Sequence, residues 1–258
     1  MGLIDSHAHL TDEPLWEDID GVLSRSFASK VETIVNICTN QSSLERGLLL
    51  KKQRPCIYHV AATTPHDVAK EGEEFFPLVE QAAKEKKLVG IGETGLDYHY
   101  THSPKELQKK WLIAYFHLAK ELDLPIVIHC REAFSDLFAL ADLHYKDRPL
   151  LLHCFTGSFE EAEMALCRGW KISLSGIITF KNSLSLRETA KKLPLEHLLL
   201  ETDAPYLSPQ SRRGKINEPS FLNETALCLA ELKSLSFEEI AFATAHNTLR
   251  FFRLQTLV

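Results

Sequence analysis

Six side chains of metal-ligating type, His7, His9, Glu93, His129, His153 and Asp203, fall in five short segments: DSHAHL, GIGETGLD, PIVIHCR, LLLHCFTG and LLLETDAP. Each lies at or near the C-terminal end of an apolar run, the end at which a barrel of parallel strands presents its chemistry. His7 and His9 are two apart in an extended run and so project to one side, with Asp5 on the same side one layer deeper. An H-x-H pair alone is a weak indicator, because ordinary hydrogen-bonded histidines share the spacing. His129 and His153 each close an aliphatic run, IVIH and LLLH, and each precedes a cysteine. Alternation turns the histidines inward and Cys130 and Cys154 toward the surrounding helices. Two such histidines joined to H-x-H point to metal.

Glu93 ends the run GIGE, where a carboxylate can bridge two cations with its two oxygens and so lower their mutual repulsion. A helix-capping or rim ion-pair role fits the same position. Asp203 precedes Ala204 and Pro205, which end regular pairing and leave its carboxylate at the barrel mouth; a turn-forming aspartate gives the same pattern. Asp5 and Glu201, on the same faces but deeper, are read as carboxylates that orient the ligating side chains instead of ligating.

These residues need strands to position them. Eight apolar or β-branched runs occur, at 3–9, 31–38, 56–63, 88–93, 125–130, 149–155, 171–177 and 197–203, separated by amphipathic stretches long enough for crossover helices. Strand alternating with helix eight times predicts a closed parallel (β/α)8 barrel of the TIM type, as one domain over residues 1–258. The helix before the fifth strand is expected to open with Ser103 as N-cap, Pro104 and Glu106, and to bury Leu107, Trp111, Ala114, Leu118 and Leu122. Boxes at Ser158/Glu161 and Ser236/Glu239 open later helices. One long loop, APYLSPQSRRGKINEPS, follows the eighth strand and overhangs the active face.

The 258 residues are 45% hydrophobic and 25% charged, an ordinary globular composition, and the net charge of −6 excludes broad adhesion to a phosphate backbone. Any nucleic-acid substrate must therefore be held locally. Arg131, two residues past His129, is placed to bind a phosphate at the mouth or to form a rim ion pair. Arg212, Arg213 and Lys215 with Asn217 form a basic cluster in the overhanging loop, either phosphate-binding or simply solvated. The six cysteines contain no C-x-x-C and read as reduced packing residues. With no apolar run near the roughly 20 residues of a membrane span and no signal peptide before the first strand, the expected location is the cytoplasm.

The chain resembles the TatD family of metal-dependent deoxyribonucleases, within the amidohydrolase-like barrels. DSHAHL, GIGETGLDY, LPIVIHCREA, HCFTGS, SLSGIITFK, LLLETDAPYLSP, RRGKINEP and HNTLRFF occur in the family's order, nearly end to end. The resemblance implies that His7, His9, Glu93 and Asp203 hold one divalent cation and that Glu93, His129 and His153 hold a second, Mg²⁺, Mn²⁺ or Zn²⁺. Where the family often has His-Pro after the third strand, this chain has Thr64-Pro65 followed by His66, and DYHY places His99 where tyrosine is more usual. The activity so implied is phosphodiester hydrolysis, as a 3′–5′ exodeoxyribonuclease on single-stranded DNA or RNA ends with no obligate protein partner. In it two cations clamp the phosphate and activate a shared water, with Asp203 as general base. A hydrolase of amide, lactone or aminoacyl-tRNA ester bonds shares this ligand set, and a non-catalytic scaffold is the reading outside enzymes.

Overall fold

The computed structural model describes residues 2–100 and 102–255; of the single domain expected over 1–258, Met1, Thr101 and residues 256–258 lie outside the described residues. Eight strands, β1 (Leu3–Ala8), β2 (Val31–Cys38), β3 (Ile57–Ala61), β4 (Gly90–Asp97), β5 (Ile126–Arg131), β6 (Leu150–Leu152), β7 (Lys171–Leu174) and β8 (Leu198–Leu200), pair in parallel in sequence order. The helices α1 (Glu13–Trp16), α2 (Ile19–Ala28), α3 (Gln41–Gln53), α4 (Val68–Lys84), α5 (Lys105–Glu121), α6 (Phe134–His144), α7 (Phe159–Leu166), α8 (Leu184–Lys192), α9 (Leu222–Lys233) and α10 (Phe237–Phe251) surround them. This is the (β/α)8 barrel that the alternating pattern predicts.

The β8–β1 seam closes beyond the end of β8. Asp203 N–H donates to the His7 carbonyl at 2.9 Å and His9 N–H to that of Ala204 at 2.7 Å, while Ala8 and Ala204 form an isolated parallel bridge. Asp5 spans the same seam with its side chain, accepting from Thr202 N at 3.0 Å and Thr202 Oγ1 at 2.5 Å. Two of the candidate ligand segments are thus the two sides of the barrel's closure.

Strand parity explains which side chains face the axis. Val127, Leu151 and Leu199 pack inside the barrel with Val35, Ile37 and Val60, against Phe251 and Phe252 at the end of α10. His129 and His153 stand two residues beyond Val127 and Leu151, and Glu201 and Asp203 two and four beyond Leu199, so all inherit the inward direction. An apolar plug therefore lies under a polar layer. Each buried aliphatic side chain of the plug contributes about 2 kcal/mol.

Several boundaries differ from the sequence reading. β4 continues four residues past Glu93, which puts that carboxylate in mid-strand, and β6 and β8 stop before His153 and Asp203. Ser103 is not the N-cap of α5; that position is Pro104, and the Ser103 hydroxyl instead donates to the His66 carbonyl at 2.7 Å and accepts from Ala69 N at 3.2 Å. Of the expected α5 stripe, Trp111 and Leu118 are buried, but the buried face is rotated to take in Gln108, Leu112, Tyr115 and Ala119, leaving Leu107, Ala114 and Leu122 only half-buried. Gln108 turns inward because the end of β4 offers it two bonds and the loop beyond it a third: it accepts from Asp97 N at 2.8 Å and donates to the carbonyls of Asp97 and Ser103. The boxes at Ser158/Glu161 and Ser236/Glu239 form as expected, and a further box, Asn40 with Ser43, caps α3.

His59 on β3 is buried and neutral. Asn36 uses its Oδ1 to accept from Leu10 N, so its Nδ2 is left to donate to His59 Nδ1 at 3.2 Å. Burial, and secondarily Lys51, push this imidazole down to about 4. The unfolded chain takes up a proton near pH 6.5 that the folded chain refuses until about pH 4, so His59 supports the fold above pH 6.5 and loses that support as pH falls. Urea denaturation should show about 3 kcal/mol of stability lost over this window through His59. A folded His59→Gln variant should show a correspondingly flatter dependence; an unchanged slope would remove His59 from the account.

Candidate metal centre

Glu93 is the hub of the site. Its Oε2 lies 3.3 Å from His7 Nε2 and 3.5 Å from His9 Nε2, while its Oε1 lies 3.2 Å from His129 Nδ1 and 3.0 Å from His153 Nε2. Asp203 Oδ1 joins the first group, 3.6 Å from His7 and 3.5 Å from His9. All six side chains that the sequence singles out therefore converge, the other five divided between the two oxygens of the Glu93 carboxylate. The His7 and His153 rings stack at 4.0 Å across the divide.

Burial opposes the charge on Glu93, but His153, His129 and His7 outweigh it and hold the carboxyl well below its usual range. Burial likewise opposes protonation of His153, which Glu93 and Glu201 nevertheless raise well above the ordinary imidazole value. His7 goes the other way, pushed down by burial and by the neighbouring His153. Neither of its ring nitrogens has an aligned hydrogen-bond partner among the described residues, although it is fully buried. A buried polar atom without a partner costs free energy, and a cation at Nε2 would satisfy it. The fit is chemical as well as geometric: imidazoles and carboxylates clustered as His7/His9/Glu93 and Glu93/His129/His153 are a donor set for divalent ions.

The backbone around this hub is built for close approach. A Cβ on Gly95 would lie 1.9 Å from the His129 carbonyl, and the residue has φ +145°. Only glycine lets β4 run close enough to β5 for Glu93 and His129 to meet. Past the end of β6, Cys154 adopts φ +45° and lines the cavity with Cys130, with its Sγ 3.2 Å from Ser175 Oγ. The expected outward alternation holds at Cys130, which lies within β5 and packs against the outer core, and fails at Cys154, which lies beyond the regular strand.

Glu201 stands behind His153, with Oε1 3.4 Å from Nδ1 and Oε2 anchored by Ser173 Oγ at 2.5 Å. Asp5 does not touch the imidazoles. It accepts from the His7 backbone at 3.2 Å and from Thr202, so it fixes the chain that carries His7 and Asp203. The carboxylate that the sequence reading passed over is Asp97. Its Oδ2 accepts from His129 Nε2 at 2.8 Å, leaving Nδ1 to face Glu93, and its Oδ1 accepts from the backbones of His99 and Tyr100. Burial resists its charge, but the His129 bond and the Tyr100 amide bring its carboxyl to about 2. Alternation from Glu93 through Gly95 to Asp97 was the available signal.

A cavity of about 740 Å³ opens above the hub. Arg131, Thr64 and His66 line it, as do Tyr100, His102 and Tyr206, three aromatic rings absent from the sequence reading. Arg213, Lys215 and Asn217 are not among its lining residues. Asn217 is buried, its amide donating to the carbonyls of Thr202 and Tyr206, which makes it a brace of the loop and corrects its expected contact with phosphate. Arg213 lies over the Phe180 ring at 4.6 Å, Arg212 pairs with Glu224 at 2.7 Å, and Lys215 is exposed. His99 turns to Glu132 at 2.8 Å.

A parallel (β/α)8 barrel with histidines and carboxylates gathered at the C-terminal ends of its strands defines a metal-dependent hydrolase. The chain belongs to the TatD related DNase family, whose model matches residues 4–253. The uncharacterized metal-dependent hydrolase YabD of Bacillus subtilis is 38% identical over 253 residues, covering 98% of this chain and 99% of that protein. The 3′-5′ ssDNA/RNA exonuclease TatD of Citrobacter rodentium is 31% identical over 256 residues, with 97% of each covered. Among solved structures, the TatD homologue YjjV of Escherichia coli superposes with a TM-score of 0.92 at 30% identity, covering 98% of both chains.

Asp97→Asn keeps an acceptor for the loop amides but gives His129 a weaker, neutral partner. Affinity for Mn²⁺ or Zn²⁺ measured by calorimetry should fall by about 10-fold or more while the fold persists. An unchanged affinity would leave Asp97 only a loop-holding role.

Proposed function

We propose that the chain hydrolyses phosphodiesters as a 3′–5′ exonuclease of single-stranded DNA or RNA ends, using two divalent cations. The observation that carries this reading is the division of Glu93: each oxygen faces its own set of imidazoles, as a carboxylate shared by two ions must. His7, His9, Glu93 and Asp203 would hold one ion, and Glu93, His129 and His153 the other. Ions bound there supply Lewis acidity, polarising a phosphoryl oxygen and lowering the pKa of water.

The protein's own groups do the remaining work. Asp203 keeps 12% of its side chain exposed to the cavity and accepts the proton of the attacking water. Glu93, less exposed and surrounded by imidazoles, stays anionic and would serve as the ligand common to both ions. Asp97 and Glu201 hold the His129 and His153 rings in orientation. Arg131 at the cavity wall offers the phosphate a charged donor close to the site, which the net charge of −6 denies it elsewhere. The named activity of the Citrobacter rodentium relative supports nucleic acid as the substrate class. A site recessed in a barrel mouth favours a strand end over paired duplex, which must first lose its base pairing to enter.

Asp203→Asn should fold normally and lower kcat on an oligonucleotide by about 10²-fold or more. Near wild-type turnover in that variant would exclude Asp203 as the base. An end-labelled time course should show a single-stranded 3′ end degraded faster than a blunt duplex of the same sequence. Equal rates would contradict entry by strand end, and amide or lactone hydrolysis without nuclease activity in Mg²⁺, Mn²⁺ or Zn²⁺ would replace the phosphodiesterase reading.

A further inference from the structure

Between Glu93 and α5, the chain builds an aromatic and cationic group that metal binding does not require. Tyr100 is 45% exposed and lines the cavity. The His102 ring lies nearly parallel to it, with centroids 5.6 Å apart and planes 12° from coplanar, and the Arg131 guanidinium sits 5.0 Å from its centroid. His66 meets both rings edge-on, at 5.7 and 5.8 Å, and meets His129 edge-on at 5.3 Å. The group thus runs without interruption from the rim to a candidate metal ligand.

Its position is tied to the metal centre by one side chain. Asp97 accepts from Tyr100 N with Oδ1, at 2.8 Å, and from His129 Nε2 with Oδ2, at 2.8 Å. Asp97 is itself clamped by Gln108 of α5 at both its amide and its carbonyl. The distance from platform to reaction centre is therefore set by one rigid carboxylate. Tyr206 across the cavity is used differently: its hydroxyl donates to Asp12 at 2.9 Å and its ring meets His9 edge-on at 5.6 Å.

We infer that Tyr100, supported by His102 and Arg131, is the stacking platform for a nucleobase flanking the phosphodiester to be cleaved. The inference rests on the phosphodiesterase reading and specifies how that site holds its substrate. Rings and a guanidinium recognise the π-face of a base, which every base presents, so the platform fixes position without reading sequence. It also explains how a chain of net charge −6 holds a nucleic-acid end: local stacking and one arginine replace a broad basic surface.

Single-stranded oligonucleotides carrying an abasic tetrahydrofuran analogue on either side of the first phosphodiester, in turn, test this with Mn²⁺-loaded enzyme. For one of the two positions, removing the base should raise the wild-type KM by about 10-fold. Tyr100→Leu should raise KM for the intact strand by a similar factor and erase the difference between intact and abasic strands. Tyr100→Phe, which keeps the ring, should preserve that difference. A binding measurement without turnover complements the kinetics: 2-aminopurine at the same position, in a strand with phosphorothioate linkages, should be quenched by the wild type and by Tyr100→Phe but not by Tyr100→Leu. If Tyr100→Leu retains the intact-to-abasic gap, or Tyr100→Phe behaves like Tyr100→Leu, the platform is refuted. Loss of the phosphodiesterase reading is distinguishable, because it appears as no cleavage of any strand by the wild type, whatever the fluorescence shows.

Discussion

A single buried carboxylate surrounded by four imidazoles is the constraint on which this molecule is organised. Glu93 is 5% exposed, and a charge so placed is tolerable only with partners on both oxygens. His7 and His9 come from β1 and its extension, His129 from β5, and His153 from just beyond β6. A sheet closed on itself brings strands so distant in sequence to one axis. The closure is made at Asp203 and His7, so the bonds that seal the barrel also set the first half of the site. Folding and site assembly are the same event at that seam.

Around the hub, further carboxylates convert rough convergence into fixed orientation. Asp97 selects which nitrogen of His129 faces Glu93, Glu201 stands behind His153, and Asp5 holds the turn that carries Asp203. The clamp of Gln108 on Asp97 passes the packing of α5 directly to the metal centre and to the Tyr100 rim. Preorganisation of this kind keeps ligands from relaxing apart in the presence of their mutual charges.

The six convergent residues were legible in the sequence because they depend on local pattern: period-two alternation at the ends of aliphatic runs places His129 and His153 inward whatever the helices do. The barrel was legible for a similar reason, since eight alternations of strand and helix leave few architectures. Strand ends were less so. Glu93 was placed at the end of β4, but Gly95 permits the strand to continue beside β5 to Asp97, and that close approach is a property of two strands together. Asp97 went unassigned for this reason. Asn217 was misjudged because its neighbours Arg212, Arg213 and Lys215 suggested a basic loop, whereas its amide is consumed by two carbonyls that the sequence does not bring near. The Ser103 cap failed similarly: the hydroxyl found partners at His66 and Ala69 across the fold. Long-range hydrogen bonds, not propensities, account for these differences.

The central claim is that Glu93 joins two cations through its two oxygens. Electron paramagnetic resonance of the metal-stripped protein, titrated with Mn²⁺, addresses it most directly. The account predicts that a second equivalent converts the six-line signal of isolated Mn²⁺ into the broadened spectrum of a spin-coupled pair, and that Glu93→Gln abolishes this coupling. A spectrum that remains that of isolated Mn²⁺ at every stoichiometry, in protein shown by elemental analysis to hold two ions, would contradict it.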